Sequence, residues 1–283
     1  MILFKKVTDL RNYLDLQQKQ SRNIGFIPTM GALHEGHISL ISISKAECPI
    51  TVCSIFVNPA QFNDPKDFQK YPINIEKDIY LLESSGCDVL FLPSVEEIYP
   101  DGFDKKTNYN LGYLETILEG KFRPGHFQGV CKVMQRLLEI VKPSRLYLGQ
   151  KDYQQSLIIE RLIELIGMKI SVEVMISPTQ REKNGLAMSS RNLRLNDDER
   201  NKASAIFTSL TMIKQKFQYE SMTDLKKKAY LMLEESGFKI DYVEIATAKD
   251  LVLVNKWDGK QKLVALIAAY MNEVRLIDNL ILN

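Results

Sequence analysis

Residues 24–57 read IGFIPTMGALHEGHISLISISKAECPITVCSIFV, and the order of patterns within them decides the fold class. Ile24 to Pro28 is a short apolar strand. Thr51 to Val57 is β-branched and uncharged, as a buried parallel strand is. The segment between them is ambiguous by itself: Ile38 to Ala46 alternates like a strand, yet Ile38 and Ile41, and Leu40, Ile43 and Ala46, also fit helical spacing. Two parallel strands need a crossover between them, so a helix is expected there.

The alternation continues outward. Val7 to Gln20 reads as an opening helix with Thr8 or Asp9 near its start, and Ile75 to Ser85 as an amphipathic helix stopping at Gly86. Val89 to Leu92 is the next strand. Val130, Val133, Met134, Leu137, Leu138 and Val141 predict a helix ending before Pro143. Arg145 to Leu148 (strand), Tyr153 to Ile166 (helix) and Ile170 to Ile176 (strand) complete an α/β pattern, which predicts a parallel sheet with helices on both faces. Right-handed crossovers then put the loops after the strands along one rim, where ligands sit. After about Arg181 the pattern changes. Helices over 197–217 and 223–236 and strands over 241–246, 263–270 and 274–280 suit a second, smaller α+β domain. The expected division is 1–182 and 183–283, with Asn184-Gly185 marking a turn near the junction. Residues 101–127 have little periodicity, the mark of a functional or mobile loop.

Composition bounds the function. Of 283 residues, 25% are charged and 45% hydrophobic, which excludes a disordered or collagen-like chain. The 37 basic residues nearly balance the 35 acidic ones, so neither nucleic acid nor a membrane surface is an expected partner. No apolar run approaches the ~18 residues of a membrane span, and the N-terminus lacks a secretory pattern. Cys48, Cys53, Cys87 and Cys131 make no C-x-x-C pair and read as buried thiols of a cytoplasmic protein.

The three histidines, His34, His37 and His126, all lie near glycine, in GALHEGH and RPGHF. PTMGALHEGH (28–37) follows a strand and precedes the expected helix. Gly31 and Gly36 allow tight turns, a helix N-terminus favours an anion, and two histidines three residues apart can donate to the same phosphate. The stretch matches neither G-x-x-x-x-G-K-[ST] nor G-x-G-x-x-G, so a nicotinamide cofactor is not expected. Its His-x-Gly-His form is that of nucleotidyl-transfer enzymes.

PTMGALHEGH, SIFVNPAQF (54–62), EGKFRPGHFQGV (119–130), GQKDYQQ (149–155) and REKNGLAMSSRN (181–192) stand in one order. Together with RLIDN (275–279) they resemble the pantoate–β-alanine ligase family. The resemblance implies a Rossmann-like nucleotide-binding domain plus a smaller C-terminal domain, usually as a homodimer. It also implies an enzyme joining pantoate to β-alanine with ATP and Mg²⁺ through a pantoyl adenylate. Met30, Gly31, Ala32, Leu33, His34, Glu35, Gly36 and His37 would line ATP, with His37 the proton donor and His34 beside it. Gly149, Gln150, Lys151 and Asp152 would contact ATP, with Lys151 acting on phosphate in catalysis and Asp152 near the ribose. Gln180 would make a backbone contact with adenosine, and Met188, Ser189, Ser190 and Arg191 would form a phosphate loop. Gln61 and Gln155 would bind pantoate, and Gln61 also β-alanine; Asp78 is a weak candidate for the metal.

The chemistry agrees. A carboxylate is a poor electrophile, so amide formation needs activation, and charge building on the phosphates needs preorganised donors. Three positions depart from the family's pattern: Asn184 in place of aspartate, Ile73 in place of arginine, and Lys132 in place of a small residue. Another adenylyltransferase, or a nucleotide sensor without turnover, is the competing reading. Pantoate-dependent ATP consumption discriminates between them.

Overall fold

A computed structural model describes residues 1–103 and 107–283; residues 104–106 of the expected functional loop lie outside the described residues. The chain divides into two compact units. The first comprises residues 1–149 and 155–178, the second residues 150–154 and 179–283.

In the first unit six strands form one parallel sheet: β1 (Ile2–Phe4), β2 (Ile24–Thr29), β3 (Ile50–Ile55), β4 (Val89–Phe91), β5 (Arg145–Gly149) and β6 (Glu173–Ser177). Their order is β1-β4-β3-β2-β5-β6. Helices α1 (Val7–Lys19), α2 (Glu35–Glu47), α3 (Pro65–Gln69), α4 (Ile75–Ser84), α5 (Val95–Ile98), α6 (Leu118–Phe122), α7 (His126–Val141) and α8 (Tyr153–Leu165) accompany them. Period-two alternation sends successive strand residues to opposite faces. Phe26, Val52 and Phe91 join Leu10, Leu14 and Leu137 in one core, while Ile27, Cys53 and Leu90 join Leu40, Ile41 and Leu82 in the other. The crossover after β2 is helical, as the parallel pairing of β2 with β3 requires.

The order places the reversal of winding between β2 and β5. β2 pairs with β3 over six residues, but with β5 only at Gly25–Arg145 and Phe26–Leu146. The ladder between them ends at Phe26, short of the carboxyl ends of both strands. Ligands of open α/β sheets bind at such a switch point. The loop over 30–37 leaves β2 there, and β5 ends there at Gly149.

In the second unit β7 (Lys239–Thr247), β8 (Leu263–Met271) and β9 (Val274–Ile281) form an antiparallel sheet. Helices α9 (Asp197–Lys202), α10 (Ala205–Lys216) and α11 (Met222–Glu235) accompany it, and Leu210, Ile213, Leu225 and Leu233 pack with Ile245, Ala265 and Ile267. This unit also takes residues 150–154, which no sequence pattern indicates.

Several boundaries differ from the sequence reading. β1 was not foreseen; its three residues pair with β4 and carry no periodic signal. α7 begins at His126 rather than Val130, because Gly125 takes a left-handed φ of 78° and starts the helix where periodicity is still weak. β6 begins at Glu173, since the amides of Ser171 and Val172 turn back to the Met168 carbonyl and leave Ile170 fully exposed. The helix expected over 197–217 is two helices, broken near Ser204, whose hydroxyl bonds the Asn201 carbonyl. α1 has no side-chain cap from Thr8 or Asp9; Glu97 accepts the Val7 N–H instead, from ninety residues away.

All four cysteines are free and buried. Burial pushes Cys87 up to about 11, Cys131 up to about 12, and Cys53 well above its ordinary value. At Cys53, Cys87 and Cys131 the thiol, not the thiolate, therefore prevails at neutral pH, and only the thiolate is nucleophilic. A thiol-specific chromogenic reagent should find no reactive group in the native protein and four after denaturation. Rapid native labelling would contradict this burial.

Candidate active site

The loop after β2 is shaped by two backbone residues and one distant carboxylate. Gly31 and Ala32 both have positive φ, 83° and 49°. A Cβ at Gly31 would stand 3.0 Å from an Asp78 oxygen, so side-chain absence matters there as well as φ. The turn exposes two consecutive N–H groups to Asp78 of α4. Oδ2 accepts from Ala32 at 2.8 Å and Oδ1 from Leu33 at 2.7 Å. Asp78 is fully buried, and burial raises its pKa despite those two donors. The sequence reading offers it as a metal candidate. Both oxygens instead bind the loop.

His34 caps α2. Its Nδ1 accepts the Gly36 N–H at 3.1 Å, and His37 Nδ1 accepts the His34 N–H at 3.3 Å. The rings lie 4.1 Å apart between centroids. Because each Nδ1 accepts, each neutral ring carries its proton on Nε2. The His37 N–H donates to the His34 carbonyl, and the Gly31 N–H to Thr29 Oγ1. The amides of Gly31, Ala32, Leu33, His34, Gly36 and His37 are thus all engaged within the protein. An anion placed here would face imidazole Nε2–H groups and the positive end of α2.

Beside this loop stands the turn carrying Gln61. Gln61 Nε2 lies 2.8 Å from the Met30 sulfur, so the pantoate candidate adjoins the ATP candidate. Asn58 builds the turn: its Nδ2 donates to Gln61 Oε1 and the Gly129 carbonyl, both at 3.2 Å, and its Oδ1 accepts from Ala60 N–H and Tyr99 Oη. Its amide group is fully used in a buried position. His126 holds the other side, with Nδ1 2.7 Å from the Gln61 carbonyl and Nε2 2.9 Å from Arg123 Nη1. Since Arg123 can only donate, the neutral ring protonated on Nδ1 fits both contacts. Gly129 lets α7 approach this turn, because a Cβ there would stand 2.1 Å from the Ala60 carbonyl oxygen. Gln155 is half-buried in the first turn of α8.

The remaining candidates belong to the second unit. Gln150 to Asp152 form a 3₁₀ turn in which Lys151 Nζ is 3.4 Å from Asp152 Oδ1. The Gln180 carbonyl accepts the Met188 N–H at 2.9 Å, closing a hairpin whose tip is Asn184-Gly185. Asn184 Oδ1 accepts the Leu186 N–H, and its Nδ2 reaches the Arg200 carbonyl, a bond an aspartate could not donate. Ser189 caps the following turn by accepting the Arg191 N–H, and Ser190 is buried. Asn192 fastens this segment to Glu182 and the Ala187 carbonyl.

Asn58 and His126 were given no role from sequence. The signals were present: Asn58 precedes a proline in VNPAQF, and His126 sits in one of the quoted blocks.

A parallel sheet whose switch-point loop presents paired imidazoles in a His-x-Gly-His turn defines an α/β protein of the nucleotidyl-transfer class. A family model described as Pantoate-beta-alanine ligase matches residues 2–281, and the chain belongs to that family. It is 42% identical to the pantothenate synthetase of Cytophaga hutchinsonii, over all of this chain and 99% of that one. Among solved structures, pantothenate synthetase from Thermus thermophilus superposes with a TM-score of 0.90 at 39% identity, covering 99% of both chains. The pantoate-beta-alanine ligase of Francisella tularensis, complexed with beta-gamma ATP and beta-alanine, gives 0.81 at 38% identity over 99% and 97%.

Asp78→Asn replaces one acceptor by a donor facing a backbone N–H. It should cost about 1–3 kcal/mol of stability in denaturant unfolding. A variant as stable as the parent would show that this carboxylate does not hold the loop.

Proposed function

We propose that this protein condenses pantoate with β-alanine at the expense of ATP, giving pantothenate, AMP and pyrophosphate. The single observation that carries the reading is the paired-imidazole turn at the sheet's switch point, in a chain that matches the ligase family along nearly its whole length. A pantoate carboxylate oxygen attacks the α-phosphorus of ATP, and the bond to pyrophosphate breaks. His37 and His34 supply Nε2–H groups to the charge that builds on the phosphates, His37 as proton donor, and Lys151 supplies a cation. The β-alanine amine then attacks the acyl carbon of pantoyl adenylate. The carbon–oxygen bond to AMP breaks and the amine nitrogen gives up its proton. Gln61 and Gln155 hold the pantoate hydroxyls with groups that donate and accept, and Gln61 also meets β-alanine.

The remaining ATP candidates have lesser parts: residues 30–36 frame the phosphates, Gln180 and Asp152 the nucleoside, and residues 188–191 the phosphates. Among the described residues no three His, Cys, Asp or Glu side chains gather into a metal cage, and both Asp78 oxygens are engaged by amides. Asp78 is thus committed to the loop, and Mg²⁺, which needs few protein ligands, would come with the ATP phosphates. No helix among the described residues is long and apolar enough to cross a membrane. A cytoplasmic homodimer is the assembly that the family resemblance favours.

Two measurements test this reading. Labelled pyrophosphate should exchange into ATP with pantoate and Mg²⁺ alone, and Gln61→Ala should weaken that exchange by about 5- to 150-fold. Exchange that appears only with β-alanine would replace the adenylate-first scheme by a concerted one.

His37→Ala should lose adenylation by roughly 10²–10³-fold, the usual loss for one oxyanion donor. His37→Gln, whose amide nitrogen can stand near the Nε2 position, should retain more activity than His37→Asn. The opposite ranking would reject the Nε2 assignment.

A further inference from the structure

RLIDN was the one quoted segment for which neither the fold nor the reaction supplied a role, and its last two residues are buried. Asp278 and Asn279 lie in β9, held in register by β8 opposite Ile267 and Leu266. Asn279 Nδ2 donates to two successive carbonyls, Gln150 at 2.9 Å and Lys151 at 2.8 Å. Its Oδ1 accepts Gln150 Nε2 at 3.3 Å, and its own N–H donates to Asp278 Oδ1 at 2.8 Å. Asp278 in turn takes a two-pronged bond from Arg181, 2.6 Å to Oδ2 and 3.1 Å to Oδ1. Arg181 also donates to the Asn279 and Gly185 carbonyls, and its guanidinium stacks 3.9 Å over Phe207.

We infer that Asp278 and Asn279 are positioning residues for the reaction: they clamp the Gln150–Asp152 turn that presents Lys151, and the Gln180–Arg181 segment, to one rigid strand. The inference rests on the reading of those segments as ATP contacts. The chemistry is restrictive. Two carbonyl acceptors side by side need two donors on one planar group, which an asparagine amide supplies and an aspartate does not. A serine offers one donor, and a glutamine is one methylene too long for a strand position fixed by its neighbours. Burial pushes the Asp278 carboxyl up, while Arg181 and, more weakly, Lys151 pull it back. Neither residue needs to touch the nucleotide. Misplacing a catalytic group by about 1 Å from a remote change costs roughly 100-fold.

Asn279→Ala and Asn279→Asp test this directly, in the full-length chain, well below the melting temperature. Both should raise KM for ATP and lower kcat, by roughly 100-fold together in kcat/KM, with KM for pantoate unchanged. A purely structural asparagine would lower Tm and leave the ATP parameters alone, and that result would overturn the inference. Lys151→Ala is measured beside them. If it leaves kcat/KM for ATP intact, the reading of the turn as an ATP contact fails, and the clamp is judged by hydrogen exchange. In the unaltered protein, amides of residues 150–154 should be protected as long as those of β9. Free exchange of 150–154 beside a protected β9 would overturn the clamp even where the variants do not fold.

Discussion

One buried carboxylate, that of Asp78, holds the backbone of the loop after β2 that carries His34 and His37. Two consecutive amides point at it because Gly31 and Ala32 take left-handed conformations. Each half of the arrangement stabilises the other. Without the carboxylate, two buried N–H groups are orphaned; without the turn, a charge is buried with no donors. Desolvation still raises the Asp78 pKa, so the loop is held by an acid that burial disfavours in its charged form. The turn then delivers His34 to the cap of α2 at a fixed height above the sheet.

This has a chemical consequence. Phosphate loops at helix N-termini commonly bind with backbone amides. Here the amides of Gly31, Ala32, Leu33, His34 and Gly36 are engaged by Asp78, Thr29 and the two histidines. Donation passes to imidazoles whose tautomers are set by those same amides. An imidazole can give up a proton as well as a hydrogen bond, which a backbone amide at neutral pH cannot, and that suits a reaction that expels pyrophosphate.

The turn carrying Gln61, the proposed pantoate contact, follows the same logic from a different direction. Gln61 is held at its side chain by Asn58 and Met30 and at its carbonyl by His126. The supporting residues come from the loop after β2, from the turn after β3 and from the start of α7, and Gly129 lets the last two backbones meet. A flexible amide side chain becomes a fixed one because the groups that bond it are themselves held, Asn58 by the Gly129 carbonyl and Tyr99, and His126 by Arg123.

Much of this was legible in the chain itself. Period-two and helical spacing, with the rule that parallel strands need a crossover, determined the α/β class, the helix after PTMGALHEGH and the change of pattern after Arg181. Residue chemistry singled out His34 and His37 as candidates, and the family resemblance added Gln61 and Lys151. Local sequence could not reveal that Asp78 faces Ala32 and Leu33, that Glu97 caps α1, that His126 holds Gln61, or that Asn279 reaches the Lys151 turn. These contacts join residues 45 to about 130 positions apart. Periodicity reports which face of an element is buried, and a motif reports which groups stand near one another along the chain. The partner that satisfies a buried donor or acceptor is chosen by the folded packing, and only the tertiary structure decides it.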